Sequence, residues 1–148
     1  MIYFDSTYVA KVYLFEHGSA EIRALVAAQP DVACCEIGKI ELASVLHRKL
    51  REGAYDESRH LSLCQQFEQD LQSNVWHWLP VSPVLLELVR LAFRSLPSTV
   101  FLRASDALHL VSARQSGFTE IYSNDRHLVA AASHFGLKAI NVIPAPTT

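Results

Sequence analysis

The chain reads as an α/β sandwich built on a mostly parallel sheet. Short apolar runs alternate with stretches of helical periodicity along all 148 residues. Half the residues are apolar and 19% are charged, which supports a packed core and argues against disorder. Parallel neighbours need long crossovers, and strands alternating with helices supply them.

The elements follow in order. Residues 2–4 (Ile-Tyr-Phe) are a buried strand, and Asp5 ends it. In residues 6–15, Tyr8, Val9, Val12, Tyr13 and Phe15 recur at helical spacing, and Gly18 interrupts. A helix over 19–28 stops at Gln29-Pro30-Asp31, and 32–35 is a strand. The helix predicted for 36–52 has Arg48, Lys49 and Arg51 in its last turns, where cations suit the dipole, and Gly53 closes it. A second long helix covers 56–72. Residues 75–79 form a strand stopped by Pro80, with Trp76 and Trp78 on one face as core or interface. Helices over 83–95 and 105–115 follow, ended by Pro97 and Gly117, with Ser105 as cap of the second. A strand at 120–122, a helix at 125–135 and a strand at 138–142 complete the pattern. Residues 1–143 are expected to form one domain, and 144–148 a loose tail.

Composition excludes several classes. The net charge of −2 announces no nucleic-acid partner, so phosphate binding would need local positive charge or a metal. No apolar run reaches the roughly 18 residues of a membrane span. Asp5 and Lys11 break the opening apolar stretch, so no secretory leader is expected. Cys34, Cys35 and Cys64 make neither an even framework nor a CxxC pair, and they read as reduced core thiols of a cytoplasmic protein.

Ligands of open parallel sheets bind beyond the carboxyl ends of the strands. Asp5 and Asp125 both fall there, and either one alone is explained as an N-cap. Glu41 and Asp106 are harder to set aside. Glu41 shares a helical stripe with Ile37 and Val45, and residues 40–46 are apolar nearly all round, which suggests cover on more than one side. Asp106 shares its stripe with His109, Leu110 and Ala113, although an acid in a first turn also suits the dipole. Clustered carboxylates repel unless a cation neutralises them, and Mg²⁺ or Mn²⁺ is the natural choice for oxygen ligands. Spacing alone does not prove that the four converge.

Four stretches carry a resemblance: "IYFDSTYVAKVYLFE", "EIGKIELASVLHRKL", "ASDALHLVSA" and "IYSNDRHL". Together, in this order and over almost the whole chain, they resemble the PIN-domain nucleases, in particular the VapC-like toxins of bacterial toxin–antitoxin pairs. The resemblance implies a Rossmann-like three-layer α/β/α sandwich with an acidic pocket for Mg²⁺ or Mn²⁺. It implies Asp5, Glu41, Asp106 and Asp125 as catalytic and metal-holding acids. Ser6, Ser123 and Asn124 match positions that support them. It further implies an RNA substrate, a VapB-like antitoxin partner and a homodimer, with the helices of 36–72 offering the partner surface. Where the family often has Ser or Thr at the end of the second strand, this chain has Cys34 and Cys35.

Other residues carry two readings each. Lys11, Arg103 and Arg126 are candidate RNA contacts, against a surface ion pair for Lys11 and solvated positions for the arginines. His109 either orients Asp106 or is a hydrogen-bonded structural histidine. Glu36 lies about 140° round the helix from Glu41 and is no ligand. The expected function is thus a Mg²⁺-dependent endoribonuclease. The alternative is a catalytically weak PIN-like module that binds RNA or protein. A phosphatase using an Asp nucleophile wants D-x-D, and Asp5-Ser6-Thr7 lacks it. A receiver domain wants adjacent acids before its first helix, and none is evident.

Overall fold

A computed structural model describes residues 1–145 and carries the strand–helix alternation throughout. The strands are β1 (Ile2–Tyr3), β2 (Val32–Cys35), β3 (His77–Leu79), β4 (Glu120–Tyr122) and β5 (Lys138–Ile140). The helices are α1 (Ser6–Tyr13), α2 (Ser19–Ala28), α3 (Ile37–Arg51), α4 (Glu57–Gln72), α5 (Pro83–Ser95), α6 (Ala104–Gln115) and α7 (Arg126–Ala131). Of the expected tail, residues 144 and 145 are neither helix nor strand, and 146–148 lie outside the described residues.

Every strand pairing is parallel. β1, β2 and β3 form one sheet in that order, and β4 pairs with β5. A single parallel bridge between Phe4 and Tyr122 joins the two pieces edge to edge. The spatial order is therefore β3-β2-β1-β4-β5, with the chain leaving β1 toward opposite sides. That is a topological switch point, where the carboxyl ends of β1 and β4 open a crevice.

Side chains alternate across this sheet with period two. Tyr3, Ala33, Cys35 and Ile121 face one core with Leu85 and Val89 of α5, Leu110 of α6 and Leu128 of α7. Phe4, Val32 and Cys34 face the other with Val9 of α1, Ile22 of α2, Leu42 and Leu46 of α3, and Phe67 of α4. The three layers follow directly. Trp76 joins the second core and Trp78 packs against it.

Several boundaries move for identifiable reasons. α1 ends at Tyr13, because the Arg23 guanidinium donates to the Val12 and Leu14 carbonyls that a longer helix would use. The last helix tightens into a 3₁₀ turn over Ala132–Phe135 and stops at Gly136, whose φ of +69° is left-handed. Ser105 is not the cap of α6. That helix starts at Ala104, with Arg103 at the cap position. α3 is covered on one side only: Leu42 and Leu46 are buried, while Ile40 is 68% exposed. A Cβ on Gly38 would lie 2.7 Å from Cys34 Sγ and 3.2 Å from the Trp78 ring. Its absence lets α3 press onto the sheet and sets the height at which Glu41, one turn later, meets the crevice. No described helix is long and apolar enough to cross a membrane.

Candidate active site

Asp5 sits at the switch point and is 2% exposed. It does cap α1: Oδ1 accepts from the Tyr8 backbone N–H at 3.0 Å and from Thr7 Oγ1 at 2.7 Å. Its other oxygen accepts from the Ser123 hydroxyl, which comes from the end of β4. Burial pushes the Asp5 carboxyl above its ordinary pKa, against the opposing pull of His109, Ser123, Thr7 and the Tyr8 N–H.

Ser123 ties Asp5 to the next acid. Its Oγ accepts from the Asp125 backbone N–H at 2.9 Å. Asp125 also caps a helix, α7, through Oδ1 to the backbone N–H groups of His127 (2.8 Å) and Leu128 (3.2 Å). Burial would raise its carboxyl. Those two N–H groups and the Arg103 guanidinium outweigh burial and hold it below the usual aspartate value. Asn124 is exposed, and its Oδ1 lies 3.0 Å from Thr7 Oγ1.

Arg103 links the third acid. Its Nε donates to Asp106 Oδ2 at 2.9 Å and its Nη2 to Asp125 Oδ2. The guanidinium is exposed to solvent but not free: it bridges two carboxylates 19 positions apart in the chain. Asp106 itself is buried in the first turn of α6.

Glu41 is held from below. His109 Nε2 lies 2.8 Å from Glu41 Oε2, and His109 Nδ1 lies 3.2 Å from the Tyr3 hydroxyl. An imidazole carrying its proton on Nε2 satisfies both contacts. The acid that His109 orients is therefore Glu41, not Asp106. Burial alone would raise the Glu41 carboxyl, but His109, with the Ser6 and Ser105 hydroxyls beside it, leaves it below its ordinary pKa.

The cations divide. Lys11 is buried, with Nζ on Glu16 Oε1 at 2.7 Å and on the His17 carbonyl at 2.9 Å, which is the ion-pair geometry. Arg126 is exposed, and its Nε donates to His127 Nε2 at 3.2 Å. A cleft of about 360 Å³ next to Asp125 is lined by Thr7, Lys11, Arg48, Asn124 and Arg126 among others. Glu36 pairs with Lys39 at 2.8 Å, away from the acids.

Among the described residues, no three acid, histidine or cysteine side chains close on a metal position as they stand. Arg103 supplies positive charge between Asp106 and Asp125 instead. The donor set is nonetheless all carboxylate, the chemistry that suits Mg²⁺ or Mn²⁺, and a cation there would relieve the strain that burial puts on Asp5. By their chemistry, though not in the arrangement they hold here, the four carboxylates fit such an ion.

Thr7, Tyr3 and Gly38 are supporting residues that sequence reading did not single out. Thr7 follows the capping acid by two, a spacing at which a hydroxyl can reach it. Nothing in the sequence signals the Tyr3–His109–Glu41 relay, whose members lie on three separate elements.

The PIN domain family model matches residues 2–133. Ribonuclease VapC47 from Mycobacterium tuberculosis is 27% identical over 142 residues, spanning 92% of this chain and 93% of the relative. FitAcB from Neisseria gonorrhoeae superposes with a TM-score of 0.69 at 15% identity, covering 95% of this chain and 97% of that one. VapC20 from Mycobacterium tuberculosis, a sarcin-ricin loop cleaving toxin, gives 0.68 at 16% identity over 88% and 95%. VapBC2 from Rickettsia felis, bound to a promoter DNA fragment, gives 0.63 at 13% identity over 95% and 98%. At such identities the superpositions speak for shared fold.

Proposed function

The chain belongs to the PIN-domain family, and from that premise we propose that it is a Mg²⁺-dependent endoribonuclease, the toxin of a toxin–antitoxin pair. The observation that carries the reading is the linkage of acids at the carboxyl ends of β1 and β4: Asp5 joined to Asp125 by Ser123 and Asp125 to Asp106 by Arg103, with Glu41 held by His109 from the same helix as Asp106. A buried carboxylate group of this kind is costly as mere structure. It suits a cation, and a cation suits phosphodiester hydrolysis.

Asp5, Glu41, Asp106 and Asp125 would hold Mg²⁺, or Mn²⁺ in its place, directly or through water. When bound, the ion supplies Lewis acidity that makes water nucleophilic near neutral pH and stabilises the leaving oxygen. Ser123 fixes the Asp5 carboxylate, and His109 aims that of Glu41. Arg103 bonds both Asp106 and Asp125 and helps to hold the Asp125 carboxyl below its usual value. Arg126 at the cleft mouth meets a phosphate. Hydrolysis by attacking water leaves 5′-phosphate and 3′-hydroxyl ends. Residues 1–143 act as one domain, in a homodimer restrained by a VapB-like antitoxin. The cytoplasm is its place, in keeping with three free cysteines.

A non-cleaving, RNA- or protein-binding module is favoured by Arg103, which already occupies two of the acids, and by the lack, among the described residues, of three donors closed on a metal position. Protein freed of any inhibitor and incubated with a mixed RNA pool in Mg²⁺, Mn²⁺ or EDTA decides between them, with Asp5→Asn in parallel. Metal-dependent cleavage lost in the variant supports the nuclease. Folded protein that cleaves nothing with either metal overturns it.

A further inference from the structure

Phe101 stands in the connection between α5 and α6 with 61% of its surface exposed. Its ring lies against that of His127, with centroids 4.4 Å apart and planes at 52°. Both residues are tethered to the acids. Phe101 precedes Arg103 by two positions, and Arg103 bonds Asp106 and Asp125. His127 follows Asp125 by two, and its backbone N–H donates to that carboxylate. Two residues of chain reach at most about 7 Å. The backbone that carries the two rings is therefore within about 7 Å of that of Arg103 and of Asp125.

Another exposed aromatic, Phe15, carries the Arg23 guanidinium over its ring at 4.2 Å. The Phe101 ring instead meets His127, to which the Arg126 guanidinium donates, and Arg103 follows two positions later in the chain. Single exposed apolar side chains are common, and what distinguishes Phe101 is its contact with His127, whose backbone N–H holds Asp125. The chemistry that an exposed ring near a guanidinium recognises is a flat π-face joined to a negative charge. A nucleobase with its phosphate has both.

We infer that Phe101, braced by His127, is a stacking platform for an unpaired nucleobase flanking the scissile phosphate. This rests on the ribonuclease reading for its substrate, but base stacking is measurable without cleavage. Paired bases in a duplex hide their faces in the stack, so the platform discriminates against double strands. Phe101 is a positioning residue: it holds the base and leaves the chemistry to the acids.

The test uses full-length wild type, Phe101→Ala and Phe101→Trp. Each is titrated in EDTA with a short single-stranded RNA carrying 2-aminopurine, and with the same sequence as a duplex. Alanine should abolish the quenching of 2-aminopurine and weaken single-strand binding about tenfold, the usual cost of a lost base–aromatic stack. Tryptophan should restore both, and duplex binding should be the same for all three. In Mg²⁺, the alanine variant should raise KM about tenfold with kcat nearly unchanged. Quenching and single-strand affinity in the alanine variant equal to wild type would overturn the platform, even if wild type cleaves RNA. Quenching that depends on Phe101 in a protein that cuts no RNA would support the platform and remove the nuclease.

Discussion

Replacing Arg103 with Gln should tighten Mg²⁺ binding, although it removes a group from the centre of the site. In the metal-free protein the guanidinium holds Asp106 at 2.9 Å and also holds Asp125. A cation that uses those carboxylates must first displace it. The two acids are mostly covered, with side chains 10% and 18% exposed, but Arg103 is 54% exposed. Solvent therefore screens both pairs, and each is worth about 0.2–1 kcal/mol rather than the several expected of a dry pair. Losing two such competitors corresponds to about 2- to 30-fold tighter metal binding. Glutamine keeps the length and some donors, so the loop before α6 keeps its course. Titration calorimetry with Mg²⁺ and Mn²⁺ on wild type and Arg103→Gln reads the change directly. In metal-free buffer the variant should melt a few degrees lower, because Asp106 and Asp125 then face each other without a counter-charge. Metal affinity that is unchanged or weaker, in a variant that remains folded, would refute the claim that Arg103 stands where the cation goes.

Glu16 offers a pH test away from the acids. Burial raises its carboxyl, but Lys11 and Lys49 outweigh burial and hold it below its ordinary value of 4.5. Its contribution is complete above about pH 4.5, where both folded and unfolded chains are ionised, and it is lost as pH falls through the lower folded value. Glu16→Gln should cost about 1–2 kcal/mol at pH 7, since it leaves Lys11 covered and short of its partner. Urea unfolding at pH 7 and pH 3 should show that gap closing, and a constant gap would refute the pairing. Ser123→Ala removes the hydroxyl shared by Asp5 and Asp125 and should lower cleavage about 10- to 100-fold, with about 1–2 kcal/mol lost in stability. Equal cleavage rates in matched RNA assays would show that the two acids need no common support. Gly38→Ala puts a methyl against Cys34 Sγ and should cost about 1–3 kcal/mol by lifting α3. Thermal melts check the cost, and weaker metal binding in calorimetry checks the expected shift of Glu41.

Local chemistry made much of this protein legible in one dimension. The alternation of apolar strands and helices announced the layered fold, because a parallel sheet covered on both faces needs buried strands and long crossovers. Asp5 and Asp125 were legible twice over. Each is both the N-cap of the helix that follows and an acid at a strand's carboxyl end, so the two readings of these residues are compatible rather than rival. Trp76 showed itself as core by its spacing from Trp78 on one face, although the strand begins only at His77.

The tertiary structure alone decided who meets whom. Arg103 looked like a loop residue until folding carried Asp106 and Asp125 to either side of its guanidinium. His109 shares a helical stripe with Asp106, yet it reaches Glu41, 68 positions away, because α3 and α6 converge on the same crevice. Gly38 fits no local turn; its meaning lies in how closely a helix approaches a strand. Caps, periods and strand ends are properties of neighbours along the backbone, so sequence by itself determines them. Ion pairs and relays between elements depend on the chain order of the sheet and the distance between its layers, and those arise only when both cores pack at once.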